Sequence, residues 1–340
     1  MVYKNLEIHN AVQIIETKDA VEWLRFPKDV ADQLELECSK NLCKNSTGVE
    51  LRFVMKSDKV VIKLKAVSGE GVLNTFHIYY GSIQGGWEEH EINKFVDNES
   101  CEFEIKRPEN IERLKEISKQ FGHSFSPEVV RIIFDRGSYE IIDIKGDIEP
   151  PKPWQIPNGT IMAYGSSITH GSNAIDASHT WASVLAHNLN MDLRNLGMAG
   201  CCRMEPEIIE YIAQEGERGN WNIATIELGI NVLEWEEQKI NDRVYNTVYQ
   251  IASRNPDKPI FVISPLYCYD DFNNGHHAEK WRNQIEKIVN KLNLQNVKYV
   301  NGLDLIGDMS LISADEVHPS IYGVSQIASR MTEIIKNFKK

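Results

Sequence analysis

The sequence lacks long hydrophobic runs and an excess of basic residues. None of its apolar stretches approaches the roughly 20 residues that a membrane-spanning helix needs. Its 340 residues include 37 lysines and arginines against 49 aspartates and glutamates, so the net charge is −12. That charge disfavours binding to nucleic acid or to an anionic membrane through bulk electrostatics.

Cysteine and targeting signals are scarce as well. Residues 1–7 show no basic segment followed by an apolar core, so no secretory signal peptide is visible. The cysteines form no pair of C-x-x-C units. We therefore expect a cytoplasmic protein with reduced thiols. The six cysteines are Cys38, Cys43, Cys101, Cys201, Cys202 and Cys268.

Chain length and one proline-rich segment divide the sequence. A chain of 340 residues is too long for one typical hydrophobic core and suggests two domains. Residues 149–157 contain four prolines, which continue neither a helix nor a central strand, so this segment is predicted to be a stiff linker. We expect an accessory domain over residues 1–148 and a second domain over residues 158–340.

The first domain is predicted to be mostly β. Residues 51–55 and 60–66 alternate apolar and polar side chains around a turn at Ser57-Asp58, which predicts a hairpin with one buried face. Residues 108–120 are predicted to form a helical insertion. A β-sandwich with jelly-roll topology is the most economical fold for this pattern. Further strands are predicted at residues 76–80, 101–105, 129–134 and 139–144.

The second domain alternates between strand and helix patterns. Such βαβ repetition predicts a parallel sheet with helices on both faces and right-handed crossovers. The predicted strands are residues 160–164, 192–196, 222–228, 259–264 and 297–300. The predicted helices are residues 180–189, 205–214, 235–253, 276–292 and 321–338.

Four short segments of the second domain carry the residue types that acyl transfer to serine needs. They are residues 165–169, 195–200, 229–231 and 315–319. In that order they supply a nucleophilic hydroxyl, a glycine that lets a carbonyl approach the backbone, an amide donor and an Asp/His pair. Each segment follows a predicted strand, and ligands of open parallel sheets bind beyond the carboxyl ends of the strands. The topology alone therefore predicts that the four segments meet at one edge of the sheet.

With these segments the chain resembles the SGNH-hydrolase superfamily of GDSL-type esterases, from Thr160 to its end. The resemblance includes Thr180-Trp181, which begins the helix after the first segment in many members. The chain departs from the family pattern at Ser166 and at Val232, where aspartate is usual, and neither position belongs to the family's triad or oxyanion hole. The resemblance implies a flavodoxin-like, three-layer α/β/α hydrolase domain. Together with the preceding β-sandwich, the chain resembles two-domain carbohydrate esterases.

The resemblance also implies the catalytic roles. Ser167, at the third position of the first segment, is the implied nucleophile, and Ser166 is the competing hydroxyl. His318 is the implied base, and Asp315 would orient its imidazole from the same face of one helical turn. Taken alone, a turn serine and an Asp-x-x-His helix start capped by Asp315 are common structural explanations of these residues.

The implied oxyanion hole combines the backbone N–H groups of Ser167 and Gly200 with the side-chain amide of Asn231. A helix cap is the structural alternative for Asn231. Gly197, in the same segment as Gly200, is expected to be a turn residue.

Three further residues are candidate substrate contacts: His170, Trp181 and Tyr267. Each has a structural alternative, which is loop capping for His170, packing of the first helix on the sheet for Trp181, and a polar loop for Tyr267. The pair His276-His277 is too sparse for a metal site. Neither a metal nor another cofactor is predicted.

These predictions converge on a serine esterase with an acyl-enzyme on Ser167. By analogy with the family, its substrate would be a short acyl ester, such as an acetyl ester of a small molecule or an oligosaccharide. Two alternatives stay open: an acyltransferase, in which an alcohol replaces water, and a non-catalytic carbohydrate-binding protein. The sequence indicates neither the oligomeric state nor the role of the first domain.

Overall fold

The first part of the chain, residues 1–149, folds into antiparallel sheets and is called the antiparallel half below. In the computed structural model, which describes residues 1–67, 75–91, 99–273 and 275–338, one sheet has the order β1-β2-β5-β10-β7-β8 with β12 beside β5. The other has the order β3-β4-β11-β6-β9. The strands are β1 (Val2–Tyr3), β2 (Leu6–His9), β3 (Gln13–Glu16), β4 (Val21–Leu24), β5 (Glu50–Met55), β6 (Lys59–Val67), β7 (Phe76–Tyr80), β8 (Ile83–Gln84), β9 (Ser100–Lys106), β10 (Val129–Phe134), β11 (Ser138–Lys145) and β12 (Ile148–Glu149). The helices are α1 (Lys28–Gln33), α2 (Glu37–Leu42), α3 (Trp87–Glu91) and α4 (Ile111–Phe121).

The predicted hairpin of β5 and β6 is wrong, because the two strands lie in different sheets. Phe53 of β5 and Ile62 of β6 are both fully buried in the one hydrophobic core that the two sheets share. Apolar alternation reports which face of a strand is buried, and it does not report which strand lies beside it. The turn at Ser57-Asp58 therefore carries the chain from one sheet to the facing one. The predicted helical insertion is confirmed as α4.

The second part, residues 160–338, is called the α/β half. Its strands are β13 (Thr160–Gly165), β14 (Asp192–Gly197), β15 (Ile223–Glu227), β16 (Ile260–Ile263) and β17 (Val297–Val300). They form one parallel sheet in the order β14-β13-β15-β16-β17, which is the flavodoxin-like order. The helices are α5 (Ser167–His170), α6 (Trp181–Leu189), α7 (Pro206–Glu217), α8 (Glu237–Arg254), α9 (His277–Leu292), α10 (Gly302–Leu305) and α11 (Ile321–Lys336).

Helices cover both faces of this parallel sheet, as predicted. Each main helix buries an apolar stripe against the strands, whose own side chains are buried on both faces. Helices α7, α8 and α9 share one hydrophobic core, and α6 and α11 pack together in the core on the other face. The α/β half therefore has the three-layer architecture that its strand and helix pattern predicts.

The proline-rich segment between the halves packs against the antiparallel half. Glu149, its first residue, belongs to β12, which pairs with β5. Farther along, Gln155 is buried, and its carbonyl oxygen accepts a hydrogen bond from Ser126 N at 2.9 Å. The segment predicted to be a stiff linker thus folds back on the domain that it follows.

The antiparallel half covers the open edge of the parallel sheet. Strand β14 lies at that edge, so its outward carbonyl groups need donors from elsewhere. His9 Nε2, Asn10 Nδ2 and Arg25 Nη1 supply them at 2.6–3.2 Å. The acceptors are the carbonyl oxygens of Leu193, Asn195 and Gly197. These bonds fix the strand that leads into the predicted oxyanion loop.

A buried ion network joins the halves at the start of the same strand. Arg52 makes a bidentate pair with Asp192, at 2.7 and 2.6 Å. Glu50 accepts from Arg52 at 2.8 Å and from Arg131 at 2.7 and 2.6 Å. Because both acids are buried, removing one member leaves an uncompensated charge in the interface.

No helix among the described residues is long and apolar enough to cross a membrane.

Candidate active site

The turn after β13 presents two serines in different environments. Ser166 is the N-cap residue of α5, and its hydroxyl accepts from Ile168 N at 3.2 Å and donates to Glu227 Oε2 at 2.7 Å. It is 1% exposed, so its hydroxyl is used inside the protein. Ser167 is the first residue of α5, and its hydroxyl faces His318. The geometry thus distinguishes the two candidate hydroxyls that the sequence left in competition.

Ser167, His318 and Asp315 form one hydrogen-bonded array. His318 Nε2 lies 2.8 Å from Ser167 Oγ, and His318 Nδ1 lies 2.7 Å from Asp315 Oδ2. A carboxylate can only accept, so Nδ1 carries the proton and Nε2 is free to accept from the serine hydroxyl. This is the tautomer that a general base needs.

Asp315 and His318 do not share a helical turn, which corrects the sequence-based expectation. They lie in a loop before α11, which begins at Ile321 and is capped by Ser320 instead of Asp315. Asp315 Oδ1 accepts from the backbone N–H groups of Val317 at 3.0 Å and His318 at 2.9 Å. This side-chain turn, rather than helical periodicity, brings the carboxylate to the imidazole.

The same hydrogen bonds keep Asp315 ionised. Partial burial opposes ionisation, but the bonds from His318 and Val317 outweigh it and hold the pKa of the Asp315 carboxyl below its ordinary value. Asn173 Nδ2 donates to Asp315 Oδ2 at 2.8 Å as well. An ionised Asp315 can therefore hold the imidazole of His318 and stabilise its protonated form.

The three residues predicted to form the oxyanion hole, Ser167, Gly200 and Asn231, line the same cleft as His318. The backbone N–H of Ser167 is at the start of a helix, where it has no intrahelical acceptor. Gly200 has φ +70°, and a Cβ built there meets no atom within 4 Å, so the space beside it is open. Asn231 Oδ1 accepts from Cys202 N at 3.1 Å, which fixes the side-chain amide. That bond reaches a distant loop, so Asn231 is not the helix cap considered as its alternative.

These groups line an open cleft of about 460 Å³. Three of its residues escaped the sequence-based reasoning: Ser172, Asn173, which contacts Asp315, and Arg136, which comes from the turn between β10 and β11. Arg136 had no detectable signal, because nothing in a strand-connecting turn indicates that it faces a site in the other half. The cleft is lined by Arg136, Ser167, Ser172, Asn173, Gly200, Ile230, Asn231, Tyr269, Asp315, Val317 and His318.

The structure does not bring the three predicted substrate contacts to this cleft. Trp181 is 2% exposed and packs in the core beneath α6, in agreement with its structural alternative. Tyr267 stacks on Phe272, with ring centroids 6.4 Å apart, and Tyr269 lines the cleft in its place. His170 is buried behind the nucleophile turn and lines a separate cavity of about 90 Å³. Burial holds the pKa of its imidazole well below the ordinary value, so the ring is neutral.

Gly197 is the last residue of β14 and not a turn residue. A Cβ at this position would collide with the backbone of His170. The glycine therefore allows α5, which carries Ser167, to pack directly on the end of the neighbouring strand.

Glu227 is a further residue that the sequence-based reasoning missed. Its Oε2 atom accepts from Ser166 N and Ser166 Oγ at 2.7 Å each, and from Thr169 Oγ1 at 3.1 Å. Burial raises the pKa of this carboxyl, although the three donors favour its ionised form. Gly165 leaves room for it, since a Cβ there would lie 2.6 Å from Oε2. The available signal was an acidic residue at the end of an apolar strand; its contact with Ser166, where the family has aspartate, is visible only in the structure.

Among the described residues, no group of three or more histidines, cysteines, aspartates or glutamates could hold a metal ion. His276 caps α9 and His277 begins it, so the pair is a helix start.

Comparisons with known proteins agree with this fold. The model of the GDSL-like Lipase/Acylhydrolase family matches residues 158–336. The salicylyl-acyltransferase SsfX3 from a tetracycline biosynthetic pathway has a TM-score of 0.78 at 17% identity, covering 98% of this chain and 95% of that one. No curated protein matches the sequence.

Two family two carbohydrate esterases are also similar in structure. The Cellvibrio japonicus enzyme has a TM-score of 0.63 at 11% identity, covering 98% of this chain and 95% of that one. The Clostridium thermocellum enzyme, solved with cellohexaose, has a TM-score of 0.58 at 17% identity, covering 85% and 91%. At these identities the likeness is one of fold.

Proposed function

Because the chain belongs to the GDSL-like lipase/acylhydrolase family, we propose that it is a serine esterase that works through an acyl-enzyme on Ser167. One observation carries the proposal: Ser167 Oγ, the His318 imidazole and the Asp315 carboxylate are joined by hydrogen bonds of 2.8 and 2.7 Å. A serine hydroxyl is a weak nucleophile at neutral pH and becomes effective only with such a base.

Acylation begins when Ser167 Oγ attacks the ester carbonyl carbon and its proton passes to His318 Nε2. Asp315 stabilises the imidazolium that forms. Negative charge then develops on the former carbonyl oxygen, where the N–H groups of Ser167, Gly200 and Asn231 would donate to it. Collapse of the tetrahedral intermediate breaks the bond to the alcohol, which takes the proton back from His318.

Deacylation repeats these steps with water. His318 takes a proton from the water molecule, the hydroxide attacks the acyl carbonyl, and Ser167 Oγ leaves with the proton. The acid and the free enzyme are the products. No metal ion takes part in any of these steps, so we expect chelators to leave turnover unchanged.

We propose short acyl esters, with acetyl esters of carbohydrates as the natural class. The cleft is open and lined mostly by polar side chains, which suits hydroxyl-rich substrates better than long acyl chains. The fold likeness to family two carbohydrate esterases supports the same assignment by analogy.

The test compares acetylated xylo-oligosaccharides with 4-nitrophenyl esters of increasing chain length. We expect release of acetate from the sugar and a fall in kcat/KM as the acyl chain grows. The Ser167→Ala variant, measured on the same esters, is the control for turnover at this site. A preference for long chains without release of sugar-bound acetate would contradict the substrate assignment.

An acyltransferase is the second candidate, since the salicylyl-acyltransferase SsfX3 shares the fold over 98% of this chain. The acyl-enzyme is the same in both reactions, and only the acceptor differs. Product analysis with added alcohols separates them, because a transferase forms a new ester where a hydrolase forms the free acid. Covalent labelling by a fluorophosphonate that is lost in Ser167→Ala excludes a non-catalytic binding protein.

A further inference from the structure

Two cysteines from different halves of the chain meet beside the proposed oxyanion hole. Cys38 lies in α2 of the antiparallel half, and Cys201 directly follows Gly200 in the loop after β14. Their Sγ atoms lie 2.8 Å apart, although 163 positions separate the two residues in the sequence. Both thiols are free, so the contact joins two reduced side chains across the interface between the halves.

Hydrogen bonds on both sides of this cysteine pair fix its position. Before α2, Glu35 N donates to Glu205 Oε1 at 2.9 Å. At the end of α2, the carbonyl oxygen of Leu42 accepts from Arg25 Nη2 at 2.8 Å, and Arg25 Nη1 donates to the carbonyl oxygen of Gly197 at 3.2 Å. A disulfide forms readily only where the backbone already holds both residues at short range. Because the two segments are joined on either side of the thiols, the backbone meets that condition.

The two thiols differ in exposure, which gives them different roles in an exchange reaction. Cys38 is exposed and lines an open cavity of about 700 Å³. Cys201 is 3% exposed, and its burial, together with its contact with Cys38, raises the pKa of its thiol. The thiolate is the species that attacks, and attack requires access to the oxidant. An oxidant from solution therefore reacts first at Cys38, and Cys201 reacts second.

We propose that Cys38 and Cys201 form a reversible disulfide that joins the oxyanion loop, residues 198–202, to α2. With a small-molecule disulfide as the oxidant, the Cys38 thiolate attacks one of its sulfur atoms and releases a first thiolate, which takes up a proton. Cys201 then loses its proton, attacks Cys38 Sγ and releases the second thiol. The oxidant is reduced to two thiols while the two protein thiols are oxidised to one disulfide, so two electrons and two protons are transferred.

This disulfide would restrain the loop that holds two of the proposed oxyanion donors. Cys201 lies between Gly200 and Cys202, and Cys202 N donates to Asn231 Oδ1 at 3.1 Å. The new bond also closes a long loop of the unfolded chain, which lowers the conformational entropy gained on unfolding. We therefore expect oxidation to stabilise the protein and to keep the loop in its catalytic conformation. The catalytic part of this expectation rests on the proposed function, whereas formation of the disulfide does not.

The experiment uses the full-length protein, first reduced and then equilibrated with oxidised glutathione. Remaining thiols are alkylated under denaturing conditions, and disulfide-linked peptides are identified by mass spectrometry. We expect a link between Cys38 and Cys201 that dithiothreitol removes, and a rise in Tm of about 3 °C or more in the oxidised protein. Turnover of 4-nitrophenyl acetate at room temperature should be unchanged by oxidation, and the oxidised enzyme should lose this activity more slowly on heating.

Three single variants identify the cysteine pair. Cys38→Ser and Cys201→Ser each remove one sulfur atom, so each should abolish both the linked peptide and the rise in Tm. Cys38→Ser changes an exposed side chain, and it therefore tests the proposal even if Cys201→Ser does not fold. Cys101→Ser is the matched control, because Cys101 is a half-buried thiol in β9 of the same half as Cys38. This control should keep the link and the rise in Tm.

The possible outcomes distinguish the disulfide from the proposed function. Glutathione adducts or other links without a disulfide between Cys38 and Cys201 would overturn the proposal, and so would this disulfide without a rise in Tm. A disulfide that lowers turnover in proportion to its occupancy would show that the restrained loop is not in its catalytic conformation, which contradicts that part of the inference. A linked and stabilised protein without esterase turnover in either redox state would support the disulfide and overturn the proposed function.

Discussion

Asn231 offers the sharpest test of the proposed oxyanion hole, because its two amide atoms have separate tasks. Asn231 Oδ1 accepts from the buried Cys202 N at 3.1 Å, and Asn231 lines the cleft, where its Nδ2 atom is the proposed oxyanion donor. Asn231→Ala removes both contacts. Loss of one oxyanion donor should lower kcat by about 10²- to 10³-fold, equivalent to about 2.7–4 kcal/mol. The unpaired Cys202 N–H should lower the free energy of unfolding by about 1–3 kcal/mol.

The matched variant Asn231→Asp separates these two effects. Aspartate keeps an oxygen for Cys202 N but places a second oxygen where the donor was. We expect Asn231→Asp to unfold close to the wild type in urea, while its kcat with 4-nitrophenyl acetate falls at least as far as that of Asn231→Ala. Since the contact strengthens in the transition state, kcat and kcat/KM should fall together with little change in KM. Wild-type turnover in a folded Asn231→Ala variant would refute the assignment of this donor.

Four further changes probe the support of the site and the interface. Glu227→Ala should lower both kcat and the free energy of unfolding, the latter by at least about 1–3 kcal/mol. Glu227→Gln should retain most of both, because an amide oxygen can accept the same hydrogen bonds. Equal losses in the two variants, measured by urea unfolding and by turnover, would contradict the role of Glu227 as an acceptor. Asp192→Ala should cost about 3–5 kcal/mol of unfolding free energy in urea, since Arg52 stays buried with half of its partners gone; a much smaller loss would show that the interface relaxes. The pKa values of Asp192 and Glu50 lie below their ordinary values of 3.8 and 4.5, because the pairing of Asp192 with Arg52 and of Glu50 with Arg131 and Arg52 outweighs the cost of burial. Their stabilisation is therefore present above about pH 4.5 and is lost as the pH falls, and unfolding measured over a pH series should show a shallower acid slope in Asp192→Ala. Gly200→Ala should lower the free energy of unfolding by about 1–2 kcal/mol, because the left-handed conformation is unfavourable for alanine. The added Cβ should raise KM for every ester. An unchanged KM would mean that the substrate does not approach this residue.

Most of the α/β half could be predicted from the sequence. Buried parallel strands and amphipathic helices differ in the spacing of their apolar residues, so the sequence indicates where each strand and helix lies. The order of the strands in the sheet follows the usual topology of such folds. The segments that contain Ser167, Asp315 and His318 could be placed at one edge of the sheet, because each lies after a strand end where ligands of such sheets bind, and the family resemblance selected these three residues. The geometry that unites Asp315 with His318 could not, since a side-chain turn and a helical turn have the same spacing in the sequence.

The fold of the antiparallel half was harder to predict from the sequence. Its strands are recognisable by alternation, but partners such as β5 and β10 are far apart along the chain, and alternation is the same for every possible neighbour. The short strands before residue 25 have too few residues to give a period. The strands on either side of α4 in the sequence were therefore predicted, whereas the predicted pairing of β5 with β6 was wrong.

The sequence by itself determined most helices and strands of the α/β half, because local spacing sets them, and the family resemblance selected the side chains that we propose for acyl transfer. Only the tertiary structure decided what surrounds that chemistry: Glu227 beneath the nucleophile turn, the donors that cover the edge of β14, and Arg136 at the cleft. The physical reason is that each of these contacts joins residues from different elements, often from different halves. Their positions depend on how whole sheets pack, and the choice of packing partner leaves no periodic trace in the order of the amino acids.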